Sequence, residues 1–262
     1  MTVSQPLHLL LPEFQSFMTV VSRTGGIVAA LPMMSGRTVP PRVKVALVLM
    51  LSLALAPVIH VPAIPPDASA MTAGLVSEVL IGLVIGLAVR LLFSALEIAG
   101  EVAGAQMGFS MSQLLDPLTS QSAPMVGQFF TLIATLVFLS LNAHMMVVSA
   151  IVSSYESIPP FGATLSPAVG EEVLRLSQHM FVVALQLTGP VLVTVLLINL
   201  LLAMLGRAVT QVNVFVLSFP LTITTGLLVI GLSLPFMVSL LEREFIGLHE
   251  TIEGLLRILG HG

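Results

Sequence analysis

Six long apolar runs organise the chain: Phe14 to Met34, Val45 to Ile64, Leu75 to Leu96, Val126 to Val152, Phe181 to Leu205 and Val214 to Leu241. Each comes close to the roughly 20 residues that an α-helix needs to cross the hydrocarbon core of a bilayer. Backbone in that core must satisfy its own hydrogen bonds, and a helix does so within one segment. The pattern therefore predicts an all-α membrane protein of about six hydrophobic helical segments, forming a single integral domain over residues 1–262. Past the sixth run the apolar positions become periodic: Leu241, Phe245, Leu248, Ile252, Leu255 and Leu259 recur at helical spacing, against Glu242, Glu244, Glu250, Glu253 and Arg257. That predicts an amphipathic tail over 242–262, either docked on a partner or solvated.

The connections are uneven. The first carries Arg37, Arg42 and Lys44 around Pro40-Pro41, and the positive-inside tendency puts it on the cytoplasmic side, with both termini outside. The long one between Ser153 and Met180 contains a turn at Pro159-Pro160-Phe161-Gly162 and a helix start at Ser166-Pro167. The stretch from Glu97 to the start of the fourth run is the unusual one. It opens with Glu97 and Glu101, carries Gly100, Gly104 and Gly108 at four-residue spacing, and closes with Asp116-Pro117 and a Ser/Thr/Gln run. It is too polar for a helix in lipid and too apolar for a free loop. Membrane proteins place such backbone where it is buried in protein or lines a path.

Charges inside apolar runs need an explanation, because an arginine at the centre of a membrane helix costs about 2.5–3.5 kcal/mol on insertion scales. Arg23 sits in the first run, facing a partner or a water-filled cavity, or snorkelling to the interface. Arg90, Glu97 and Glu101 fall on one helical face, which suits an internal Arg–Glu pair or contact with other subunits. Arg207 follows the fifth run. Gly82 and Gly86 form a GxxxG pair, and Gly100 and Gly104 continue as a second close-packing face. Pro190, Pro220 and Pro235 predict kinks in the last two helices.

Composition narrows the function. With 56% hydrophobic and 8% charged residues, the chain is no soluble domain, and 9 basic against 13 acidic residues give no nucleic-acid patch. Cysteine is absent, which excludes disulfides and thiolate sites. The N-terminus has no lysine or arginine ahead of its apolar part and does not read as a signal peptide. Ser110 and His144 are the nearest thing to a nucleophile and base, but no motif links them, and His144 reads as a hydrogen-bonded core residue. No catalytic, metal or cofactor residue is identified, so no enzyme is expected. Broken helices with intramembrane charge also suit a secondary transporter, although no internal repeat is visible.

A series of separated motifs then carries a resemblance. They are Arg23-Thr24-Gly25-Gly26, Leu31-Pro32, Val39-Pro40-Pro41-Arg42-Val43-Lys44, Ala99-Gly100-Glu101, Gln106-Met107-Gly108, Asp116-Pro117, Gly127-Gln128-Phe129, Leu141-Asn142-Ala143-His144, Ser157-Ile158-Pro159, Gly206-Arg207-Ala208, Gln211-Val212-Asn213-Val214-Phe215 and Phe219-Pro220. In this order and spacing the chain resembles the FliR family of the flagellar type III export gate, along nearly its whole length. Thr210, Thr222 and Ala143 depart from the residues frequent in that family.

The resemblance implies kinked, tilted helical hairpins packed with FliP and FliQ into a multi-subunit export gate in the bacterial inner membrane, at the flagellar basal body. The apolar runs need not then be conventional crossings. It further implies FlhB and other export components as neighbours, and unfolded exported proteins as substrates. The segment Gln106 to Val126 would be the plug of the path, with Gln106, Met107, Gly108, Phe109, Ser110 and Met111 at its start and Asp116-Pro117 setting a turn. The SctT subunit of virulence secretion systems is the related alternative.

Overall fold

The computed structural model describes residues 5–35, 39–59, 67–109, 125–162, 166–208 and 213–260. Among them there is no strand. The helices are α1 (Gln5–Ala30), α2 (Pro32–Ser35), α3 (Pro41–Leu55), α4 (Ala68–Met107), α5 (Met125–Ser140), α6 (Ala143–Ser157), α7 (Pro167–Ala208) and α8 (Val214–Gly260). Prolines set several boundaries: Pro32, Pro41 and Pro167 each occupy a first helical position, where their missing N–H costs nothing.

Among the described residues each apolar run contains a helix, but run and helix do not coincide. α4, α7 and α8 have 40, 42 and 47 residues. At a rise of 1.5 Å per residue these are roughly 60–70 Å long, about twice the thickness of a hydrocarbon core. These three are long and apolar enough to cross a membrane, or four if α5 and α6 count as one broken span, among the described residues. The run from Val126 to Val152 is that broken span. It stops at Leu141-Asn142, where Asn142 takes a left-handed conformation (φ 53°, ψ 28°) that asparagine tolerates better than most residues. His144, just past the break, is consequently exposed and not a core residue.

The chain forms two compact units, each assembled from separate stretches: 1–91, 142–177 and 246–262 in the first, 92–141 and 178–245 in the second. In the first, α1 and α4 pack backbone to backbone. A Cβ on Gly82 would collide with the Arg23 carbonyl, one on Gly26 would sit 2.5 Å from the Val79 carbonyl oxygen, and one on Gly86 would strike Ala30 and Ile27. Only glycine permits that approach. The end of α8 closes this unit with Leu248, Ile252, Leu255 and Leu259, all nearly inaccessible. These are the periodic positions of the tail, which is therefore the last part of a continuous helix.

In the second unit Phe93, Phe138 and Phe245 form an aromatic cluster with ring centroids 5.4–5.7 Å apart. Gly100 lies against the backbone of Gly127 and Val126, bringing α4 onto α5. Thr188 of α7 donates to the Ala99 carbonyl at 3.0 Å, joining a third helix to that contact.

Candidate functional site

Gly108 ends α4. With φ +95° it adopts a conformation that strains any side-chain-bearing residue, and the helix ends in a turn there. The amide of Phe109 donates to the Gly104 carbonyl at 3.0 Å and that of Gly108 to the Ala105 carbonyl at 3.1 Å. This pair of bonds satisfies two of the carbonyls that a helix end leaves open. A third, that of Met107, accepts from the Thr222 hydroxyl of α8 at 3.1 Å. The Met107 side chain is fully buried and rests on Gly226, where a Cβ would occupy its thioether's place.

Phe109 emerges from this turn beside an apolar groove of about 340 Å³, lined also by Met125, Val126 and Phe129 of α5 and by Leu227, Ile230 and Leu234 of α8. The chain thus leaves α4 and enters α5 at the same groove. Of the expected segment 106–126, Gln106 and Met107 are the last turn of α4, and Met125 and Val126 are the first of α5. Ser110, Met111, Asp116 and Pro117 lie outside the described residues.

A second concavity, about 350 Å³, lies between α4 and α5 and is lined by Glu97, Glu101, Gly127, Gln128, Thr131, Leu132 and Thr135. The Thr131 and Thr135 hydroxyls donate to carbonyls of their own helix, those of Gly127 and Thr131. The charge in this groove is therefore that of Glu97 and Glu101, both exposed and one turn apart on α4. Gly100 and Gly104, on the same helix, meet α5 through Gly127 and Val126. Gly108, at the same spacing, serves the turn instead.

Arg23 belongs to a different place, the interior of the first unit. Its Nε donates to Glu78 Oε2 at 2.6 Å. Its terminal nitrogens donate to the carbonyls of Ser154 (2.7 Å) and Ile158 (3.1 and 3.2 Å), which lie at the end of α6. The Tyr155 ring lies 4.0 Å from the guanidinium carbon. The other oxygen of Glu78 accepts the Phe161 amide at 3.0 Å, so the carboxylate holds the turn after α6 as well. Glu78 and Gly82 share a face of α4: one takes the charge of Arg23, the other its backbone. Arg90 and Arg207 are exposed, and Arg207 sits in the last turn of α7, where a cation is favoured.

Sequence reasoning missed Glu78 and Gly226, and it marked Thr222 and Ile158 only through the resemblance, with no contact assigned to either. Glu78 had a signal, since it is an acid within an apolar run. Gly226 had none that separates it from ordinary helix residues.

The architecture is that of an integral membrane protein built of long, glycine-packed helices. Residues 14–248 match the family model of the bacterial export proteins, family 1, and the chain belongs to that family. Among curated proteins it is similar to the flagellar biosynthetic protein FliR of Escherichia coli (strain K12), 30% identical over 223 residues that cover 85% of each chain. The FliR of Bacillus subtilis (strain 168) is 28% identical over 260 residues, 97% of this chain and 99% of its own. That of Caulobacter vibrioides is 30% identical over 218 residues, 82% of this chain and 86% of its own.

Proposed function

We propose that this chain is a channel and gate subunit of the flagellar protein export apparatus, forming the export path with FliP and FliQ in the bacterial inner membrane. FlhB and other export components would be its neighbours at the basal body, and unfolded exported proteins its cargo. Membership of the export family gives the setting. The observation that carries the gate is the shared apolar groove, at which Phe109 and Met125 mark the two ends of one connection.

In this reading the segment Gln106 to Val126 is the plug, with Met107, Gly108 and Phe109 as its foot and Ser110, Met111, Asp116 and Pro117 further along. Methionine is unbranched and deformable, so a seal containing Met111 can reform after a chain has passed, while Met107 anchors its foot. Glu97 and Glu101 serve as contacts to a cationic group of a neighbouring subunit, since exposed carboxylates in an apolar setting are costly without a partner. Gly82 and Gly86 hold α4 on α1, while Gly100 and Gly104 hold it on α5. Arg23 contributes an internal ion pair; Arg90 and Arg207 are the remaining candidates for subunit contacts. The chain acts by binding and moving, with no chemical step of its own.

Co-expression tests the reading. With FliP and FliQ the chain should be recovered from membranes as one stable complex, and it should restore filaments to a flagellate strain lacking its counterpart. Recovery only as a separate monomer, with no restored filaments, would contradict it.

A further inference from the structure

Phe219, Thr222 and Gly226 recur on α8 at spacings of three and four, which places them on one helical face. All three meet the last turn of α4. A Cβ built on Gly108 would lie 3.0 Å from the Phe219 ring, so that ring covers the turn. Thr222 supplies the donor for the Met107 carbonyl. Gly226 supplies the space into which the Met107 side chain fits. We infer that these α8 residues are positioning residues for the export path: they fix Met107 and Gly108, and through them the point at which the connection to α5 departs. The inference rests on the gate reading above.

Each contact constrains a different degree of freedom. The ring limits rotation of the Gly108 turn, and the hydroxyl fixes the end of the helix axis. The Gly226 socket sets the rotamer of Met107. Thr222 has one proton and also lies 2.9 Å from the Ser218 carbonyl, so its bond to Met107 competes with back-bonding inside α8. Losing that bond should therefore matter less than filling the socket. Gly226→Val places branched carbon where the thioether lies and must drive Met107 out.

The test is ion leak across the membrane of cells expressing the complex, normalised to the amount of complex recovered. A variant in which 110–124 is replaced by a short Gly/Ser linker is the reference for an open path. Gly226→Val should raise the leak several-fold, and Met107→Ala in the same chain should lower it again by vacating the space. Thr222→Val should raise it less, and Thr222→Ser, which keeps the donor, should restore the parental value.

An engineered link gives a second readout. The Cβ of a residue at 226 would lie 3.8 Å from the Met107 Cβ, inside the range of about 3.5–4.5 Å that disulfides span. The natural chain has no cysteine. The Met107→Cys/Gly226→Cys variant should therefore leak when reduced and tighten when oxidised. If the linker variant leaks while Gly226→Val stays tight and oxidation changes nothing, the α8 inference is wrong and the gate reading stands. If the linker variant itself stays tight, the gate reading fails and the inference fails with it.

Discussion

Arg23 Nε lies 2.6 Å from Glu78 Oε2, and neither side chain reaches the surface. A buried ion pair repays its desolvation only when the remaining donors and acceptors are satisfied. Here they are: carbonyls of Ser154 and Ile158 take the terminal guanidinium nitrogens, and the Phe161 amide takes the free carboxylate oxygen. The pair therefore ties α1, α4, the end of α6 and the turn after it into one node.

Removing one partner should be worse than removing both. Arg23→Met leaves Glu78 as a lone buried charge, at a cost of about 3–5 kcal/mol. The double variant Arg23→Met/Glu78→Met should recover a large part of that. Thermal unfolding of the purified complex in detergent checks it. A double variant no more stable than Arg23→Met alone would mean that the pair is not the source of the loss.

Glycine substitutions should divide sharply by neighbourhood. At Gly82 a methyl group has no room beside the Arg23 carbonyl, so Gly82→Ala must separate α1 from α4. At Gly254 a Cβ meets nothing within 4 Å. Gly254→Ala should be neutral or stabilising by about 0.5–1 kcal/mol through helix propensity. The amount of folded protein in membranes should fall for the first and hold for the second. Equal levels would rule out close helix contact at Gly82.

The groove at Glu97 and Glu101 separates folding from assembly. Both carboxylates are exposed, so Glu97→Gln/Glu101→Gln should leave accumulation of the chain unchanged. If they meet a cation on a neighbouring subunit, the double variant should lower the fraction co-purifying with FliP and FliQ, most visibly in a salt titration. Unchanged co-purification would remove the groove from the list of subunit contacts.

Much of this was legible in the chain, and what was hidden had physical causes. Hydropathy located every helix because burial and lipid contact select the same residues. It misjudged their ends, since backbone hydrogen bonding continues past the point where apolarity fades. α4 runs through Glu97 and Glu101 to Met107 in this way. Asn142 and His144 interrupt the apolar run at the break, but the left-handed φ of Asn142 that ends one helix and starts the next is not readable from hydropathy. Arg23 announced that it needed a partner, but Glu78 lies 55 residues away and only tertiary packing joins them. The three glycines from Gly100 to Gly108 look equivalent in sequence. Two of them pack on α5, and the third turns the chain.

In the proposed function the connection after Gly108 occupies the export path. Because the chain has no cysteine, Met111→Cys introduces its only thiol. Labelling of that thiol with a membrane-impermeant maleimide, in the assembled complex at rest and with an export substrate arrested in it, is the most direct measurement. Labelling should be slow at rest and rise clearly once the path is held open. Fast, equal labelling in both states would contradict that function and make the segment an outer loop.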